Sequence, residues 1–114
     1  MAVTYTSAQI VKERLNLLSG AHLINDTAID TNIEMAEGII NGIMQASVTF
    51  VAAKHGLIRN TATALAAYMC ITWDISQFDN EAQARQVADL LWQDQNRGLA
   101  FLADGNIKEY LTTV

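Results

Sequence analysis

From Ala62 to Trp73 the chain carries no charged side chain. Asn60 or Thr61 can open a helix there, running to about residue 78. Leu65, Tyr68, Met69, Ile71, Trp73, Ile75 and Phe78 then spread apolar surface nearly all round it. Such a helix needs cover on more than one side. In 114 residues, the size of one ordinary domain, it must lie at the centre or against another subunit. The rest of the chain has to be fitted around it.

Two further helices are legible from their punctuation before that stretch, and one after it. Thr6 followed by Gln9 has the spacing of a capping box. Ile10, Val11, Leu15 and Leu18 then recur at helical spacing, and Ser19-Gly20 offers a glycine stop, so residues 7–18 read as the first helix. Asn25 or Asp26 can cap the second. Its Ile29, Ile33, Ala36, Ile40, Ile43 and Met44 keep the three-to-four spacing of one buried face. Gly38 and Gly42 sit within it, each costing about 1 kcal/mol against alanine, which is either simply tolerated or serves close approach of another backbone. Asp79-Asn80 caps a last helix with Ala84, Val87, Ala88 and Leu91 inward and Arg85, Gln86, Asp89 and Gln93 in water. Gly98 is read as its end, with residues 99–102 as a short apolar coda.

Two segments resist this pattern. In residues 45–59 the β-branched run Ser47-Val48-Thr49-Phe50-Val51 favours extended backbone, Ala52-Ala53-Lys54 favours helix, and Gly56 breaks what precedes it. A loop with an extended piece is the expectation. Asp104-Gly105-Asn106 signals a turn, after which residues 107–114 are expected to form a short strand or a docking arm. The fold class expected is all-α: one domain over residues 1–114, a small bundle of about four helices with one extended loop or arm.

Apolar residues make up 51% of the chain and charged residues 17%, below the roughly 25% usual for soluble domains. So low a charge on a small body points to an assembly that covers part of the surface. The net charge is −5, with 12 acids against 7 bases. A nucleic-acid binder needs a basic patch to displace counterions, and Lys54, His55 and Arg59 read only as the decoration of a loop. Residues 1–6 lack the basic and apolar regions of a secretory leader. The longest uncharged stretches, 38–53 and 60–73, fall short of the roughly 20 apolar residues a membrane span needs.

No constellation in the sequence points to catalysis, a cofactor or a metal, and the expectation is that the chain is not an enzyme. His22 and His55 stand apart from other ligands and read as surface histidines. Cys70, the single cysteine, falls in an apolar run and reads as a buried thiol. Asp26, Asp30 and Glu34 lie four apart and read as a solvated helix face. Trp73 is expected in the core, while Trp92, beside Gln93 and Asp94, is the better interface residue.

In the order of its elements the chain resembles the head–tail connector (adaptor) proteins of tailed phages. Tyr5-Thr6-Ser7-Ala8-Gln9-Ile10 is similar to the family's opening cap, and Ile40-Asn41-Gly42-Ile43-Met44 to the signature closing its long helix. Leu65-Ala66-Ala67-Tyr68 resembles its small-residue segment. Leu91-Trp92-Gln93-Asp94 with Gly98 resembles the end of its last helix. The chain departs from the pattern in having no proline after the second helix and no arginine in the third.

The resemblance implies a virion structural protein made in the host cytoplasm and placed in the neck between capsid and tail. It implies a homo-oligomeric ring of about twelve subunits, each burying two different faces. The ring would dock on the portal protein, be joined by a stopper or tail-completion protein, and let DNA pass through its lumen without sequence-specific binding. An acidic lining suits passage. The residues expected at protein interfaces are Phe50, Val51, Lys54, Arg59, Trp92, Leu99 and Phe101. The alternative is a small helical regulator or inhibitor that binds a single protein partner.

Overall fold

The computed structural model describes residues 5–15, 26–45, 50–51, 54–73 and 81–112, without the side chains of Asp26, Trp73, Glu81 and Thr112. Among these residues the protein is a bundle of five helices with no strand: α1 (Ala8–Leu15), α2 (Asp26–Met44), α3 (Gly56–Trp73), α4 (Glu81–Ala103) and α5 (Gly105–Thr112). The expected stop at Ser19-Gly20, the caps at Asn25 and Asp79-Asn80, His22, Ile75, Phe78 and the core role of the Trp73 side chain lie outside the described residues.

The helix that carries the uncharged stretch is central, and its cover comes from within the chain. Residues 61–67 of α3 are buried without interruption, because α1, α2 and α4 all pack against it. Ala62, Ala64, Ala66 and Ala67 supply the small surface that lets several helices approach one another around it. At Gly98 of α4 the approach is closest: a Cβ there would overlap the Thr61 hydroxyl. Gly98 is therefore no helix end. The buried stripe of α4 continues through Leu91, Gln95, Gly98 and Leu102, spaced as a helix requires, to the end of the helix at Ala103.

Two apolar cores result. The first joins Val11 and Leu15 of α1, Ile29, Ile33 and Ala36 of α2, Leu65 and Ile71 of α3, and Ala84, Ala88 and Leu91 of α4. The second joins Tyr5, Ile40 and Met44, Ile58 and Ala62, Leu102, and Leu111 of α5. Cys70 is buried beside the first core, and burial pushes its thiol above the ordinary range, offset in part by a hydrogen bond from the Asn32 amide.

Several expectations need correction. Ser7, not Thr6, caps α1: its Oγ accepts the Ile10 amide at 3.3 Å. Thr6 is buried and bonds Thr63 across the fold at 2.8 Å. Because the Thr63 hydroxyl donates to Arg59 O, Thr6 is the donor of that pair. Gly56 opens α3 instead of breaking the chain, so the helix begins four residues before Asn60 and the loop after α2 ends at His55. Gln45 ends α2 with φ 58°, the left-handed turn usual after a helix. Most of the expected extended piece, residues 46–49, lies outside the described residues, as do 52–53.

The tail is a helix, not a strand or arm. Asp104, read as part of a turn, caps α5: its Oδ1 accepts the amides of Asn106 at 3.0 Å and Ile107 at 3.2 Å. Nor, among the described residues, does any backbone approach Gly38 or Gly42; both are exposed, with nothing described within 4 Å of where a Cβ would stand. Among the described residues no helix is long and apolar enough to cross a membrane.

Candidate protein interface

The expected interface residues fall in three places. At the outer face of α4, Trp92 is 47% exposed and leans on Tyr68 of α3, ring centroids 5.2 Å apart. Leu90 is exposed as well, but two residues before Trp92 it lies on the other side of the helix, the side of Phe101. Arg85, Gln86, Asp89 and Gln93 stand in water on the Trp92 side, as the pattern predicts. A large aromatic surface with a polar rim is the usual form of an interface anchor.

Phe101 is exposed on the same helix but faces elsewhere. Nine residues, two and a half turns, separate it from Trp92, which puts the two on opposite sides of α4 and about 14 Å apart along its axis. Leu99, between them, is half-buried against the second core.

The third place is the corner between the segment before α3 and the C-terminal helix. Here the expected residues are tied to the fold itself. The Arg59 guanidinium lies 4.1 Å from the centre of the Phe50 ring, and its Nε donates to Tyr5 O at 3.0 Å. Phe50 is half-buried against the second core. The Lys54 ammonium sits 4.8 Å from the centre of the Tyr110 ring, while Val51 is 50% exposed.

His55 holds this corner together, and it is buried rather than at the surface. Its Nδ1 lies 2.9 Å from the Val51 amide, which can only donate. Nδ1 must therefore be the bare nitrogen, and Nε2 carries the hydrogen that goes to Leu111 O at 2.9 Å. The imidazole thus joins the segment before α3 to the end of α5. Tyr5 forms a second tie: its amide donates to Glu37 Oε2 at 2.8 Å and its hydroxyl to Asn41 Oδ1 at 2.6 Å. Neither tie is visible in periodicity, since His55 to Leu111 and Tyr5 to Glu37 and Asn41 join residues far apart in sequence.

Exposed Met35 and Ile39 on α2 were not named as interface residues. They follow by elimination, because the buried stripe of that helix leaves them outward, next to the open glycines 38 and 42. Among the described residues no three His, Cys, Asp or Glu side chains gather as a metal set. The chain matches no known family, no curated protein and no solved structure.

Proposed function

We propose that the chain is a head–tail connector adaptor: a structural protein of the virion neck that forms a ring beneath the portal, through which DNA passes. The observation that carries this reading is the exposure of Trp92 and Phe101 on opposite sides of α4. A subunit in a closed ring meets its two neighbours through different faces, so it needs two anchors that do not share a patch. The exposed Met35 and Ile39 of α2 add apolar surface suited to cover by the portal or by a stopper protein. Two reactive side-chain types that enzymes favour are occupied structurally: both His55 nitrogens serve backbone groups, and the Cys70 thiol is buried. The net charge of −5 keeps a lumen from gripping DNA.

Mixing the protein with its candidate portal and imaging by negative stain tests the reading. Rings stacked coaxially on the portal are the expected result. A discrete dimer that ignores the portal overturns it and favours a regulator of one protein partner.

A further inference from the structure

Helices α1, α3 and α4 enclose an open cleft of about 320 Å³. That volume stands at the small end of ligand sites and holds one or two side chains rather than a cofactor. Gly98 and Thr61 both line it, at the place where the two helices approach closely. The Thr61 hydroxyl donates to Leu57 O in its own helix at 2.8 Å, so its proton is turned away from any occupant. Leu57 and the exposed Phe101 form an apolar wall.

Two arginines from different helices line the same cleft, Arg14 from α1 and Arg97 from α4. Neither makes a hydrogen bond or ion pair among the described residues, although Asp94 lines the cleft one turn before Arg97. In a chain with 12 acids and only 7 bases, two unpaired guanidiniums in one hollow run against the overall charge. The planar fork of arginine fits a carboxylate through paired N–H donors. Asp94 and the Asn60 amide at the same cleft offer an acceptor and a donor for the N–H and C=O of a peptide.

We infer that this cleft docks a peptide segment of a partner protein that carries a carboxylate next to an apolar side chain. The carboxylate sits between Arg14 and Arg97, and the apolar side chain lies against Leu57 and Phe101. A nucleic-acid phosphate fits less well. The apolar wall of Leu57 and Phe101 gains nothing from a sugar–phosphate chain.

The test is a titration of the isotope-labelled protein with N-acetyl-aspartyl-leucine amide, followed by NMR. The expected result is saturable shifts at the Thr61 and Gly98 amides, with a dissociation constant on the order of 1 mM for so small a probe. Arg97→Gln and Arg14→Gln, both changes of side chains without partners among the described residues, should each weaken it about tenfold. The asparaginyl counterpart should give no saturable shift. The inference is overturned if the two probes behave alike, if neither arginine variant changes the response, or if inorganic phosphate binds as tightly as the acidic probe. No portal is needed, so this outcome is independent of ring formation.

Discussion

The two cores share α2, α3 and α4 yet are held together by different means. The first is closed by α1 and is almost wholly apolar. A polar contact within it runs from Asn32 to Cys70 at 3.3 Å, but Asn32 Oδ1 is buried without a partner among the described residues, so the side chain contributes little net stability. The second is closed by Tyr5, the segment before α3 and α5, and these are tied by directed bonds: Tyr5 to Glu37 and Asn41, Arg59 to Tyr5, His55 to Val51 and Leu111. Burial is non-directional and follows from spacing alone, whereas each tie needs one particular partner. The first core therefore rests on burial, and the second on single directed bonds besides.

The largest effect that separates them is expected from Ile33→Ala. Ile33 is fully buried in the apolar core, and truncation there should cost about 3–4 kcal/mol in chemical unfolding. A loss under about 1 kcal/mol would remove that core as the main source of stability.

His55→Ala should cost less, about 2 kcal/mol, by stranding the Val51 amide and the Leu111 carbonyl. Its signature is local. Hydrogen exchange should quicken through α5 and at Val51 while Ile33 and its neighbours stay slow. Uniform quickening would mean that the corner is not a separable unit. Wild-type protection at Val51 also bears on assembly: a slow amide in the free protein shows that the segment is part of the fold before any ring forms.

Tyr5→Phe removes only the hydroxyl tie to Asn41 and should cost about 1 kcal/mol. The differential-scanning midpoint checks it. A change within error would show that the hydroxyl is satisfied as well by solvent.

What was legible in the sequence follows the same division. The inward stripes of α2 and α4 and the central place of α3 come from one-dimensional spacing, and they hold in the structure. Gly98 looked like a stop because its reason for being glycine, the approach of Thr61, lies on another helix. His55 looked exposed because its burial depends on α5, itself hidden behind an aspartate cap read as a turn. Of the interface residues, Trp92, Phe101 and Val51 are exposed as their neighbours suggest. Phe50 and Arg59 are engaged with each other and with Tyr5. Spacing carries no information about such pairings.

The smallest effect on the fold, and the largest on assembly, is expected from Trp92→Ala. Trp92 belongs to neither core; its described ring contact is Tyr68, and almost half its surface meets water. Losing the ring pair and the covered area should cost no more than about 1 kcal/mol in the thermal melt. If Trp92 anchors one side of a ring, the same change removes a buried aromatic from every subunit contact, and the cost repeats around the circle. The variant should then melt like the wild type yet fail to form rings on the portal. A fall of 3 kcal/mol or more would place Trp92 with the cores. Normal rings would move the anchor elsewhere on the surface, with the Met35 and Ile39 face of α2 as the next place to cut.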